Sequence, residues 1–296
     1  MVQPISIYTS LPPRMSRVNA AGEEFGLEYL KYCLDSWRDH GFEPVTVNSE
    51  VEVLKLPLEE WGVRKIEVSR NAAEDYGKPF VYLDDFYGKI SEDTDGVMVF
   101  ANADIFFDFT DEQVDKIRNL RPGEAIVLRR IDIDDLDRNN PEEYTGGYDF
   151  LAMHSRDLAR FESDLFALGV PWWDHFVPLI MRMTGMTSVF LEPSGIFHLR
   201  HEERWAGWMR FEVGNRFLKA VIDATRDAKS ADAEMYTREI SRIKIRKDAH
   251  LIRRIRFWHD FRTEGVTAMS RNELGVMGLL NRSMIEEWRT GKLDRP

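Results

Sequence analysis

Cysteine is nearly absent, Cys33 being the only one in 296 residues. A disulfide framework within the chain and a zinc site built on several thiolates are thereby excluded. Long hydrophobic runs are missing too, since no stretch reaches the roughly 18 apolar residues of a membrane-spanning helix. The opening residues up to Arg14 lack the basic stretch followed by an apolar core that marks a secretory signal. Positive charge is in deficit, with 40 basic side chains against 51 acidic ones and a balance of −11. Attraction to a polyphosphate backbone does not organise such a chain, and no nucleic-acid partner is expected. No GxGxxG follows a strand-like run, and GxxxxGK[ST], HExxH and GxSxG do not occur. Dinucleotide redox, P-loop, zincin and serine-hydrolase chemistry lose their usual signatures. These absences lead us to expect a cytoplasmic protein.

The remainder is globular in character. With 43% apolar and 31% charged residues, the chain falls outside the disordered and collagen-like classes. Its length allows one large or two small domains.

Ile5 to Thr9 reads as a strand that runs into the loop at Leu11-Pro12-Pro13. Leu30, Cys33, Leu34 and Trp37 recur at helical spacing and stop at Gly41, after which Phe42 to Val47 forms a second strand. Strand, helix and strand at this spacing predict a βαβ unit and a parallel sheet. A second cycle has a polar helix around Ser69 to Tyr76, an apolar stretch Phe80 to Leu83 and the strongly apolar run from Gly96 to Ala101. Thr110 and Gln113 form a capping-box pattern that opens a helix to Leu120, followed by a strand Ala125 to Leu128. The six acids between Asp132 and Glu143 sit in a loop by composition, without the glycine and glutamate offsets of a calcium loop. Tyr148 to Met153 reads as a strand, Ser155 to Leu168 and Pro171 to Met183 as helices, and Ser188 to Glu192 and Ile196 to Leu199 as short strands. Beyond about Gly214 the pattern is helical and charged. Residues 238–262 hold nine Lys or Arg against three Asp or Glu, interleaved with apolar side chains. Such a helix either closes over the core with its basic face solvated or lies on an anionic membrane face or a partner.

Three clusters can carry chemistry. Asn102 and Asp104 follow an apolar strand and, at i and i+2, share one side of the chain. In open α/β sheets the carboxyl edge is where ligands bind, and a diphosphate beside a carboxylate there calls for a divalent cation; an Asx turn is the alternative. His198-Leu-Arg-His201 is followed by Glu-Glu-Arg-Trp205, two imidazoles able to ligate a metal or simply to sit at the surface. Asp174 lies among Trp172, Trp173 and His175 near a helix start, suited to a general base in a partly dry cleft or to a helix-dipole contact.

The order of these pieces resembles nucleotide-sugar glycosyltransferases of the GT-A fold. The likeness is closest to bacterial glycosyltransferase-like proteins with a Ser-(Leu/Ile)-Pro-Pro-Arg loop and an Asn-x-Asp-Ile metal motif. The matching residues are Ser10-Leu11-Pro12-Pro13-Arg14, Asn102-Ala103-Asp104-Ile105, Gly147-Tyr148-Asp149-Phe150, Trp173-Asp174, and His198 with His201. The resemblance spans about residues 4–205. It implies an α/β Rossmann-type mixed, mostly parallel sheet flanked by helices over residues 1–212, with a helical C-terminal extension over 213–296. It further implies donor binding by Thr9, Ser10, Pro12, Arg14, Asp85, Asn102 and Asp104. Acceptor contacts would come from Tyr148, Asp149, Trp172 and Trp173. A divalent metal, Mn²⁺ or Mg²⁺, would be held by Asp104 with His198 or His201, and Asp174 would be the catalytic base of an inverting enzyme. The implied partners are a nucleoside diphosphate sugar and a glycan or lipid-linked acceptor, in cell-surface polysaccharide synthesis, with peripheral contact at the inner membrane face through the basic helix. Two rival readings are a noncatalytic GT-A-like binding protein, favoured by asparagine at position 102, and a metal-dependent phosphoesterase built on Asp104 and the histidine pair.

Overall fold

The computed structural model describes residues 4–201 except 20, 145–146, 162–165 and 190, together with 213, 216, 217 and 220. The expected domain boundary at 212/213, the extension beyond it and the basic segment 238–262 lie almost wholly outside the described residues.

Strand β1 (Ile5–Thr9) pairs in parallel with β2 (Phe42–Ser49), Ile5 opposite Phe42, and α1 (Gly26–Asp39) makes the crossover. The helix starts a turn earlier than the apolar spacing suggests. Glu24 explains this: it accepts the backbone N–H of Arg17 and of Gly26 and the Ser16 hydroxyl, which folds the preceding loop onto the helix start. A Cβ at position 26 would lie 2.4 Å from the Met15 carbonyl oxygen, so only glycine fits beneath that loop. Tyr29, Leu30, Cys33, Leu34 and Trp37 are buried on the inner face, the lone cysteine being core.

After β2 come β3 (Arg64–Val68), α2 (Ala73–Tyr76) and α3 (Leu83–Asp93). Neither β3 nor α3 is visible in the apolar pattern. Leu83, at the end of the apolar stretch, opens a helix, with Phe86, Tyr87 and Ile90 on its buried side. Then follow β4 (Val97–Ala101), β5 (Ile105–Phe107), α4 (Asp111–Arg118) with its Thr110/Gln113 capping box formed as expected, and β6 (Glu124–Leu128).

The acidic stretch is not all loop. Strand β7 (Ile131–Ile133) contains Asp132, and β8 (Glu142–Glu143) pairs back onto it, because the backbone satisfies its hydrogen bonds in a second sheet. Beyond β9 (Phe150–His154), the expected helix from Ser155 is a 3₁₀ turn ending at Phe161. The chain closes with α5 (Trp173–Met183), the two-residue β10 (Thr187–Ser188), shorter than expected, and β11 (Ile196–Leu199).

The main sheet has seven strands in the order β10-β6-β9-β4-β1-β2-β3, all parallel contacts except those of β9. Neighbouring residues of β1 enter different cores: Ile7 packs with Leu34 and Trp37, and Tyr8 with Phe86 and Phe100. That alternation is what a sheet covered on both faces requires. Val213, Phe217 and Ala220 belong to the second of these cores, Phe217 stacking on Trp172 at 5.4 Å. A smaller sheet, β5-β11-β7-β8, stands beside the carboxyl edge of β4. No described helix is long and apolar enough to cross a membrane.

Candidate active site

Strand β4 ends at Ala101, and the turn that follows carries the half-buried Asn102 and Asp104 before β5 begins. Tyr29 fixes this turn to the small sheet, its hydroxyl donating to the Asp104 carbonyl (2.8 Å) and accepting the Leu199 N–H (2.9 Å). The same bond to β11 brings Asp104 and His198 together. Oδ2 of Asp104 lies 3.2 Å from Nε2 of His198, 3.6 Å from Nε2 of His201 and 2.7 Å from Nη2 of Arg17. One ligand atom from each of Asp104, His198 and His201 falls within 4.8 Å of the others. The three residues assigned to metal from sequence are thus one cluster.

His198 and Asp132 are register partners on β11 and β7, and Nδ1 of His198 lies 2.8 Å from Asp132 Oδ1. Burial opposes the imidazolium, but Asp104 and Asp132 on its two nitrogens outweigh it and raise the His198 pKa above its ordinary value. Burial likewise opposes ionisation of Asp104, yet His198, His201 and Arg17 hold its pKa well below the usual carboxylate range.

Arg130, immediately past β6, donates from Nε to Asp132 Oδ1 (2.7 Å) and from Nη1 to Asp149 Oδ1 (2.9 Å). Asn102 donates its amide to the same oxygen of Asp149 at 2.7 Å. This gives asparagine at position 102 a physical reason. An aspartate at position 102 would set a second carboxylate against Asp149, already buried to 3% exposure. Burial raises the Asp149 pKa, with Arg130 and His198 opposing and the charges of Asp174 and Asp104 adding to the rise.

Asp174 stands in the first turn of α5 and accepts the Tyr148 N–H at Oδ2 (3.1 Å). A Cβ on Gly147 would come within 2.1 Å of that oxygen, so a larger residue there would push the Asp174 carboxylate away from the Tyr148 N–H. Asp174 therefore sits one residue from Asp149.

Trp172, Trp173 and Tyr148, expected among the acceptor contacts, are 4%, 7% and 4% exposed and pack into the core. Trp173 meets Phe100 edge-on at 4.8 Å, Trp172 stacks on Phe217, and the Arg129 guanidinium covers the Tyr148 ring.

The residues expected to hold a donor are scattered. Thr9 is buried within β1, opposite Thr46. Past it, the Asn48 amide reaches the Ser10 hydroxyl (3.3 Å), the Leu11 carbonyl (2.9 Å) and Glu52 (2.6 Å). Pro12 is half-buried and Arg14 exposed. Asp85, on α3, forms an exposed ion pair with Arg70 at 2.6 Å.

Arg17, Tyr29, Arg130 and Asp132 are site residues that the sequence reading did not assign. Arg130 carried a usable signal, a polar side chain just past the carboxyl end of an apolar strand, the same logic that singled out Asn102 and Asp104.

No protein-family description matches the chain, and no curated protein matches its sequence. Solved structures do resemble its fold. The structure of TarS residues 1–349 from S. aureus, in complex with UDP-GlcNAc, aligns with a TM-score of 0.50 at 12% identity, over 99% of this chain and 93% of that one. A nucleotidyl transferase from Methanothermobacter aligns at 0.39 and 13% identity over 72% and 91%, and the CTP:phosphocholine cytidylyltransferase LicC of Streptococcus pneumoniae at 0.38 and 11% over 67% and 94%. At such identities the likeness to TarS is one of fold: a mixed, mostly parallel α/β sheet flanked by helices, as the GT-A resemblance implied.

Proposed function

We propose that this protein is a metal-assisted glycosyltransferase that moves a sugar from a nucleoside diphosphate sugar to a hydroxyl acceptor. One observation carries the reading: Asp104, His198 and His201 converge at the carboxyl edge of β4, where such a fold binds ligands. The fold shared with TarS, whose structure holds UDP-GlcNAc, supports a nucleotide-sugar donor.

The donor set suits a divalent metal. Two imidazole nitrogens with one carboxylate favour Mn²⁺ over Mg²⁺, which prefers an all-oxygen shell. Asp132 behind Nδ1 of His198 is the carboxylate–histidine pairing that orients a metal-binding imidazole through its far nitrogen. When bound, such an ion supplies a Lewis acid that offsets charge on the diphosphate.

The chain's own groups account for the rest. Arg17, beside Asp104, presents a guanidinium to the diphosphate side of the cleft. The bond from the anomeric carbon to the diphosphate oxygen breaks, its electron pair leaving on the diphosphate. The acceptor oxygen bonds to that carbon from the opposite face, and its proton passes to Asp174. The Tyr148 amide occupies Oδ2 of Asp174, which leaves Oδ1 for the proton. Single displacement inverts the anomeric centre. The acceptor is a glycan or lipid-linked hydroxyl, and the setting a cytoplasmic step of surface-polysaccharide synthesis.

Calorimetry with UDP, GDP, CDP and dTDP, each with and without Mn²⁺, tests the donor half. One diphosphate binds tightly with Mn²⁺, and Asp104→Ala loses that metal dependence. Equal affinities with and without Mn²⁺ reject the metal assignment. Asp174→Asn leaves donor binding intact and cuts turnover about a hundredfold or more, the scale of a lost general base; unchanged turnover removes Asp174 from the mechanism. A noncatalytic binding protein would bind donor but release no free sugar from it on long incubation. A phosphoesterase would cleave a generic phosphodiester instead.

A further inference from the structure

Among the described residues, Asp149 holds the one buried carboxylate oxygen without a hydrogen-bond partner, Oδ2. Its other oxygen is doubly occupied, by Asn102 Nδ2 at 2.7 Å and Arg130 Nη1 at 2.9 Å. An orphaned buried carboxylate oxygen costs free energy unless a ligand completes it. It can only accept, so its natural complement is a donor such as a hydroxyl. The guanidinium on Oδ1 disfavours a second cation there.

Resting on the glycosyltransferase reading, we propose that Oδ2 of Asp149 binds a hydroxyl of the donor's sugar ring and sets which sugar is transferred. Three features place it on the donor side, not among acceptor contacts. Asn102, which holds it, opens the same turn that carries Asp104. Arg130, which also holds it, braces Asp132 behind His198. Asp149 further adjoins Tyr148, whose backbone N–H donates to Asp174 Oδ2 at 3.1 Å. The transferred ring must pass between the departing diphosphate and the base, and Asp149 is hydrogen-bonded to Asn102 on the one side and follows Tyr148, whose N–H donates to Asp174, on the other. A bonded pair of this kind discriminates strongly, since a sugar without the matching hydroxyl leaves the buried oxygen unpaired.

The test compares nucleoside diphosphates with their hexose conjugates (UDP with UDP-GlcNAc and UDP-glucose, GDP with GDP-mannose, dTDP with dTDP-glucose) in the presence of Mn²⁺, in wild type and Asp149→Asn. The wild type binds one conjugate more tightly than its bare diphosphate. In the variant that increment falls about tenfold or more, while bare-diphosphate affinity stays within about twofold. An increment of equal size in both proteins overturns the proposal and leaves the glycosyltransferase reading standing. Failure of every diphosphate to bind the wild type overturns both. Should Asp149→Asn not fold, monodeoxy forms of the bound conjugate decide the matter on wild type alone. One position must lose about tenfold in affinity, and a series with no such position sinks the proposal. Where the variant folds, that same deoxy position is neutral in it.

Discussion

Strands β6, β9, β4 and β1 at the centre of the seven-stranded sheet are lined mainly by apolar side chains, with charge confined to strand ends such as Glu124 and His154, whereas three of the four strands in the smaller sheet carry charged or titratable ones at the site side, Asp132, Glu142 with Glu143, and His198. The large sheet positions chemistry at its ends: Ser10, Asn102, Arg130 and Asp149 all lie just outside its strands. The small sheet positions chemistry within its strands, through lateral register that sets His198 opposite Asp132. The large sheet is thus a support whose errors appear as lost stability. The small sheet is an instrument whose errors appear as lost binding.

That division can be broken from either side. Phe86 is fully buried in the core beneath the large sheet, in T-shaped contact with Phe100 at 5.4 Å. Phe86→Ala should cost about 3–5 kcal/mol of folding stability, measurable by urea denaturation, with diphosphate affinity nearly unchanged in the fraction that remains folded. A smaller effect, of the opposite kind, is expected from Asp132→Asn. Losing the carboxylate behind His198 should weaken Mn²⁺ binding about tenfold to a hundredfold, read by titration calorimetry, at little cost in melting temperature. If stability collapses instead, the small sheet is also a support and the contrast fails.

Asn102→Asp sharpens the comparison because it restores a double-aspartate motif at the junction of the two sheets. A metal-centred argument predicts a gain in Mn²⁺ affinity. The hydrogen bond to Asp149 predicts the reverse, with two carboxylates replacing a bond of 2.7 Å. We expect a loss of stability of about 1 kcal/mol or somewhat more, since a buried group loses its donor and meets like charge. Raising the proton concentration should shrink this penalty, because protonating either carboxylate restores a donor. Denaturation of both proteins at two pH values measures it.

Much of the scaffold could be read in advance because it rests on local patterning. The strands at Ile5, Phe42, Gly96 and Ala125 and the capped helix at Thr110 announce themselves through hydrophobic period and cap chemistry. Helix α3 did not, because its short, acid-rich turn pattern is decided by packing of Phe86 and Ile90 against the sheet. Asp104, His198 and His201 were identified as a metal group from type and resemblance, and the structure brings them together. Arg17 has no local signature and acquires its role from a partner 87 residues away, whereas Arg130 has the signal of a polar residue past an apolar strand and only its partner, 19 residues on, is hidden from the sequence. The tryptophans are ambiguous in sequence for the converse reason, since an aromatic beside an acid looks alike whether it lines a cleft or fills a core.

By itself the sequence determined the α/β alternation, the scarcity of thiol chemistry and the positions where polar side chains end apolar strands, because each depends on neighbours within a few residues. Only the tertiary structure decided which of those side chains meet. The pairing of β11 with β7 sets His198 against Asp132 across 66 residues of chain, and the Tyr29 hydroxyl ties the Asp104 turn to Leu199 across 170. Their electrostatics follow from distance and burial in space, which spacing along the chain does not encode.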